Sequence, residues 1–263
     1  MRMRKNRVSR KAALAGLALG LAILTASPER VMAGTAGFGQ SGPASETEAV
    51  DVNRLRAAQG ASGLVVVIGN QARLSGPGAS GTDASSGWTL DWYRRDETGT
   101  LQRVFSVAAY SGKKGMTASK EEGDAKTPEG VYSFSMAFGL EEDPGSRLPY
   151  HRIIEGDFYV DDSKSRYYNR LVNENEVAKD WDSAEHLIRE TPHYNYGLVI
   201  SYNPDCVPEK GSAIFLHCNK TSENKQTSGC VSIPEEYMKQ ILCEADADTK
   251  IVIVPEKGAL AKY

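Results

Sequence analysis

The sequence predicts a mainly β fold with minor α structure, a β-sandwich or barrel-like domain over residues 61–263. Short apolar runs bounded by Gly, Pro and Asn/Asp turns recur along this part of the chain, and several alternate apolar with polar residues. Only one segment carries a convincing long helical pattern. This combination is typical of sheets joined by short connections.

The predicted strands follow in order. LVVVIG at 64–69 is a buried-strand run, and WTLDWYRR and LQRVFSVAAY form a hairpin around the turn DETGT. A strand at 131–137 follows the Pro/Gly turn of GDAKTPEGVYSF, and YGLVISY, AIFLH and KIVIV are further strands.

Helical signals are confined to two segments. Pro234 opens PEEYMKQILCEA, where Pro suits the first helical position and Glu235 and Glu236 suit the positive end of the helix dipole. A short helix is also predicted at Ser183 to Arg189. The rest of residues 139–195 is polar, aromatic and irregular.

The N-terminus has the pattern of an export signal. Residues 1–11 carry six basic groups and no acid, and the apolar run 12–26 is short for a membrane span. Val31 and Ala33 provide the small residues of a cleavage site, so we predict a signal peptide over 1–33, with an uncleaved membrane anchor through 12–26 as the alternative. The chain is expected in the cell wall, the periplasm or outside the cell.

Residues 34–60 are rich in Gly, Ala, Ser and Glu and predict a flexible linker. Removing residues 1–33 takes away seven basic groups and one acidic group, and leaves 24 basic against 33 acidic groups, a net charge near −9. This balance argues against nucleic acid as a partner, because nucleic-acid sites favour basic patches. We expect a monomer.

The segment HCNKTSENKQTSGC at 217–230 contains a His and two Cys, and three chemistries use such residues. A metal site is disfavoured because His217 and Cys218, adjacent on a strand, point to opposite faces. We therefore predict no metal and no cofactor. A Cys218–Cys230 disulfide would close a 13-residue loop, worth on the order of 3 kcal/mol. Among the four cysteines, one bridge between Cys206 and Cys243, or none, is expected if Cys230 is free.

The third possibility is a cysteine nucleophile. Cys230 would be the nucleophile and His217, arriving on the preceding strand, its base. Gly229 permits a tight turn, so that the N–H groups of Gly229 and Cys230 could face a developing oxyanion. Cys218 should face away from His217 and act as a small buried hydrophobe.

His217 followed by TSGC at 227–230 resembles the L,D-transpeptidase catalytic domain, whose signature is a strand-borne His followed by a Ser/Thr-His-Gly-Cys turn. GDAKTPEGVYSF, YVDDSKSRYYN, SAEHLI, YGLVISYN and GSAIFLH are similar to the same family, and the resemblance covers about Leu64 to Pro255. Three features depart from it: Ser228 replaces the second His, Ser232 stands where Asn or Arg is common, and the loop is shorter.

The resemblance implies a cysteine acyltransferase that acts on peptidoglycan stem peptides through a thioester and releases D-Ala. An L,D-carboxypeptidase on the same fold is one alternative, and a non-catalytic wall-binding module with a structural disulfide is another. The irregular segment 139–195 would cover the site, and His186 and His193 are given no role. The residues expected to contact substrate are Ser228, Ser232, Asn219, Thr227, His151 and Tyr168, with Tyr159, Asp162, Asn169 and Glu185 as further candidates.

Overall fold

A nearly closed, barrel-like β-sheet forms the centre of the described domain. The structure is a computed structural model that describes residues 50–69, 87–221 and 225–263. The strands are β1 (Gly63–Ile68), β2 (Trp88–Arg95), β3 (Leu101–Ala109), β4 (Met116–Thr117), β5 (Thr127–Pro128), β6 (Gly130–Gly139), β7 (Tyr150–Arg152), β8 (Asp157–Val160), β9 (Leu171–Asn173), β10 (Ala184–His186), β11 (Gly197–Ile200), β12 (Phe215–Cys218), β13 (Val231–Ile233) and β14 (Lys250–Val254), and the helix is α1 (Glu235–Glu244).

The large sheet has the strand order β13-β12-β11-β6-β14-β1-β2-β3, with β7 beside β6. Its two ends meet, because Tyr110, directly after β3, forms a backbone bridge with Ser232 in β13. Both hydrogen bonds of this bridge are 2.9 Å long. Closing a sheet in this way removes its exposed edges and satisfies their backbone groups.

The main core lies between one face of this sheet and α1. Trp92, Leu198, Leu216 and Ile241 are all 1% exposed or less. Each such side chain contributes about 1.5–3 kcal/mol through burial. The core therefore fixes the strands that carry the candidate site.

The predicted strands, the hairpin and the long helix are confirmed. The short helix predicted at Ser183 to Arg189 is wrong. Ala184–His186 pair with β8 as a strand, and only Leu187–Arg189 form a single 3-10 turn. The pairing partner lies more than twenty residues upstream, so no local pattern could indicate it.

Residues 139–195 contain a second, three-stranded sheet with the order β10-β8-β9. Aromatic packing supports it: the rings of Phe158 and His186 stack at 4.4 Å, and Phe158 also contacts Trp181 at 5.9 Å. A segment with an irregular sequence pattern thus folds as a small packed layer.

The folded domain begins before residue 61. Val52, Leu55 and Ala58 form parts of two 3-10 turns and are buried against β1 and β14. The last part of the predicted linker 34–60 is therefore packed, because its few apolar residues reach the core. The predicted signal or anchor at 1–33 and residues 34–49 lie outside the described residues.

Within the ranges given above, no helix is both long and apolar enough to cross a membrane. All four cysteines are free. Cys206 lies near the carbonyl groups of Asn169 and Pro204, whereas Cys243 lies near the carbonyl of Pro144. Cys206 and Cys243 are therefore not bridged, which is the second of the two arrangements expected from the sequence.

Candidate active site

A cavity of about 510 Å³ lies beside the turn that joins β12 to β13. His217 and Cys230 both line it. Residues 139–195 form one of its walls, as expected for a cover, and they contribute Asp161, Glu185, Glu190, His193 and Tyr194.

Cys230 lies directly before β13 and is 6% exposed. Its thiol donates a hydrogen bond to the Ala213 carbonyl at 3.1 Å, and its sulfur accepts one from the Phe215 N–H at 3.3 Å. Burial, followed by the nearby carboxyl of Glu185, raises the pKa of the thiol well above its usual value. Cys230 is therefore a neutral thiol at rest.

His217 reaches the same cavity from β12. In the parallel ladder of β12 and β13, Leu216 pairs with Val231 and His217 with Ser232. Cys230 precedes Val231 and so lies beside Phe215, which places its side chain on the same face as that of His217.

The ring of His217 is held by its own strand. Its Nδ1 lies 2.7 Å from the carbonyl oxygen of Cys218, so Nδ1 carries the proton and Nε2 has the free lone pair. Burial lowers the pKa of the imidazole from 6.5 to about 3. A backbone carbonyl thus orients the ring, and His217 is neutral and able to accept a proton.

Cys218 points away from this pair, as predicted. It packs in the main core with Leu216 and Ile233, and its thiol donates to the Tyr196 carbonyl at 3.5 Å. Burial raises its pKa to about 12. A Cys218–Cys230 bridge is absent, since the two side chains lie on opposite faces of the sheet.

Thr227 holds the turn before Cys230. Its hydroxyl donates to the Cys230 carbonyl at 2.6 Å and accepts from the Gly229 N–H at 3.2 Å. The N–H of Gly229 is therefore engaged within the turn, in contrast to the expectation that it faces an oxyanion. The N–H of Cys230 remains the predicted hydrogen-bond donor to an oxyanion.

Charges of both signs line the cavity. Lys120 is buried, with its Nζ 2.7 Å from Asp124 Oδ1 and 2.8 Å from the Glu121 carbonyl. Burial raises the pKa of Glu185 to about 7, and the Tyr194 hydroxyl donates to this carboxyl. Among the described residues, the cationic groups are Lys113, Lys114, Lys120 and Lys220, and the acidic groups are Glu122, Asp161, Glu185 and Glu190.

Comparison with known proteins identifies the family. The model of the YkuD L,D-transpeptidase catalytic domain matches residues 82–253. The chain belongs to this family. No curated protein matches the sequence.

Three solved structures resemble this L,D-transpeptidase domain at low identity. Bd1075 of Bdellovibrio bacteriovorus is 15% identical, with a TM-score of 0.38 over 79% of this chain and 55% of that one. The helical cell shape determining protein Pgp2 of Campylobacter jejuni is 15% identical, with a TM-score of 0.38 over 76% and 53%. An L,D-transpeptidase of Stackebrandtia nassauensis is 12% identical, with a TM-score of 0.34 over 78% and 60%. The chain thus spans little more than half of the first two.

The predicted substrate residues of the L,D-transpeptidase domain divide into two groups. Ser228, Thr227 and Glu185 line the cavity. The other seven of the ten predicted residues do not line it in the described structure. Ser232 is fully buried between β12 and Tyr110, Asn219 pairs by its N–H with Ile233, His151 binds Asp157 at 2.7 Å, and the Tyr168 hydroxyl donates to Glu122.

Several groups of the cavity were not predicted from the sequence. Lys120 lies three residues before the GDAKTPEG motif, which could have pointed to it. Asp161 lines the cavity where its neighbour Asp162 was expected, and Asp162 instead accepts from the Asp182 N–H at 2.8 Å. His193 was given no role, yet its ring lies 5.8 Å from that of His217. No motif surrounds it.

Gly229→Ala should destabilise the L,D-transpeptidase domain and reduce its activity. Gly229 has φ 155, and a Cβ there would lie 3.0 Å from the Lys126 carbonyl oxygen and 3.1 Å from Ile214 Cδ1. We expect a loss of about 1–3 kcal/mol in urea unfolding. Gly99→Ala is the control. Gly99 also has a positive φ, 81, but an added Cβ there would meet no atom within 4 Å, and Gly99 is distant in sequence from this turn. Equal activity in the two variants would contradict a role for this turn.

The buried His217 should make stability depend on pH. Its folded pKa of about 3 lies below its usual 6.5, so the unfolded chain binds more protons between these values. The contribution of the neutral His217 to the free energy of unfolding is present above pH 6.5. It is lost as the pH falls towards 3, at about 1.4 kcal/mol for each pH unit. Glu185 has a raised pKa, so its own contribution to the free energy of unfolding increases as the pH falls.

Urea unfolding of wild type and His217→Gln isolates this effect, because Glu185 is present in both proteins. The stability difference between the two should fall by several kcal/mol as the pH is lowered from 6.5 towards 3. A constant difference would show that His217 is not desolvated in the folded protein.

Proposed function

We propose that this protein is an L,D-transpeptidase that forms peptidoglycan cross-links through a thioester on Cys230. The observation that carries the proposal is the placement of His217 in β12 and of Cys230 directly before β13, on one face of the sheet and at one cavity. The Nδ1 of His217 is fixed there by the Cys218 carbonyl. A nucleophile, a base and an orienting group are the parts that acyl transfer requires.

In the first half-reaction, the Sγ of Cys230 attacks the carbonyl of the third residue of a stem tetrapeptide. Its proton moves to Nε2 of His217 as the S–C bond forms. The imidazolium then gives this proton to the departing nitrogen, the C–N bond breaks and D-Ala leaves. Because both groups are neutral at rest, proton transfer accompanies the attack rather than preceding it.

The charges of the cavity support this class of substrate. A stem peptide carries a carboxylate at its D-Ala end and amino groups elsewhere, and the cavity offers lysines and carboxylates for both. The thioester must also be kept from water until an amine arrives. The wall formed by residues 139–195 is suited to that protection.

The direct test is incubation with a purified disaccharide tetrapeptide, followed by mass analysis. A dimer that has lost D-Ala is the expected product. A tripeptide alone would indicate an L,D-carboxypeptidase, and no product would contradict both activities.

The location and the assembly state belong to the same proposal. The N-terminal pattern supports export, with either cleavage after Ala33 or anchoring through residues 12–26. The protein would act as a monomer on the wall. N-terminal sequencing of the exported protein would show which form is present.

A further inference from the structure

A histidine–glutamate pair at the cavity has no part in the chemistry described so far. We propose that His193, held by Glu190, is a second general base, which takes a proton from the acceptor's ammonium group before the resulting amine attacks the thioester. This inference rests on the proposed function and concerns only its second half-reaction.

His193 has the geometry of an oriented base. Its Nε2 lies 2.5 Å from Glu190 Oε2, so Nε2 carries a proton and Nδ1 has the lone pair. Within the described part of the chain, no hydrogen bond to Nδ1 is present. Both residues line the cavity, and the His193 side chain is 13% exposed.

The position of His193 is tied to that of His217. The two rings lie 5.8 Å apart, and the backbone carbonyl of His193 accepts the Cys218 N–H at 3.1 Å. The two imidazoles therefore face one cavity from different elements. A single reacting nitrogen could be reached by both.

Proton balance shows why two bases are useful. An aliphatic amine with a pKa of about 10.4 is neutral in only about one molecule in 2,500 at pH 7. As an ammonium it must lose one proton to expose its lone pair, and a second when the amide forms. His193 would take the first and release it to water. His217 would take the second and return it to Sγ as the C–S bond breaks and the C–N bond forms.

The charged surroundings of His193 are consistent with a neutral resting base. Burial lowers its pKa, Glu190 on its own segment acts to raise it, and Lys220, after β12, acts to lower it. His217 and Tyr194 are the other titratable groups whose rings contact it. At neutral pH His193 is thus in the form that accepts a proton.

The test compares wild type, His193→Gln and His151→Gln with the disaccharide tetrapeptide. His151 is a matched control, since it also binds a carboxylate, Asp157, at 2.7 Å but lies outside the cavity. For His193→Gln we expect first-turnover D-Ala release within about twofold of wild type, and a ratio of dimer to tripeptide lowered by about tenfold or more. His151→Gln should keep the wild-type ratio.

Hydroxylamine provides a second readout, because it is already largely neutral at neutral pH. Its cleavage of the thioester should be equal in wild type and His193→Gln, whereas dimer formation by the variant should recover only at alkaline pH. A structural role would slow acylation, hydrolysis and hydroxylamine cleavage together, and that result would overturn the inference.

The outcomes also separate the two proposals. If wild type forms no thioester, the proposed function fails and this inference fails with it. If wild type forms the thioester and the dimer but His193→Gln keeps an unchanged dimer ratio, only the second base is overturned. If wild type forms the thioester but no dimer, both the transpeptidase proposal and the second base are overturned.

Discussion

Cys230→Ser should leave no acyl adduct on the protein and lower turnover by on the order of 10³-fold or more. The hydroxyl keeps both contacts of the thiol, as donor to the Ala213 carbonyl and acceptor from the Phe215 N–H, so the fold should be retained. Serine lacks the nucleophilicity of sulfur, and its hydroxyl gives up a proton far less readily. Intact-mass analysis after incubation with the tetrapeptide measures the adduct.

Cys243→Ser is the control for this substitution. Its thiol is on α1, near the Pro144 carbonyl and away from the cavity. It should form the adduct like wild type. Normal turnover in Cys230→Ser would exclude the thioester mechanism.

His217→Ala should slow turnover by about 10²–10⁴-fold, the usual contribution of a general base. The thiol of Cys230 has a raised pKa, and without Nε2 of His217 its proton must be taken up by solvent. Activity of the variant should therefore rise with pH, as hydroxide replaces the imidazole. The reaction of Cys230 with iodoacetamide near neutral pH should also be slower than in wild type.

The pH profile of alkylation gives an independent check on the resting state. Because His217 is neutral above its pKa of about 3, wild type holds no thiolate–imidazolium pair at neutral pH. Its alkylation rate should keep rising above pH 7. A plateau of the alkylation rate below pH 7 would mean that Cys230 and His217 are already an ionised pair. The control variant His151→Gln should show the same pH profile as wild type.

Much of the fold could be predicted from local sequence. β1, the β2–β3 hairpin, β14 and α1 each combine an apolar pattern with turn or capping residues. β10 could not be predicted, because Ala184–His186 are a strand only through pairing with β8. The packed turns at Val52 and Leu55 were missed since their few apolar residues gain stability only from the core that they cover.

The candidate site shows the same division. The cavity positions of Cys230 and His217 and the opposite, core-facing orientation of Cys218 could be predicted from local sequence, because a His at the end of an apolar strand and a Gly-Cys turn after it are local features. The folded structure was needed to show that Ser232, His151 and Tyr168 lie outside the cavity and that His193 with Glu190 lies inside it. Strand residues are assigned to a face by their alternating pattern alone. A cavity, in contrast, is formed by segments distant in sequence, and whether they meet depends on the packing of the whole domain.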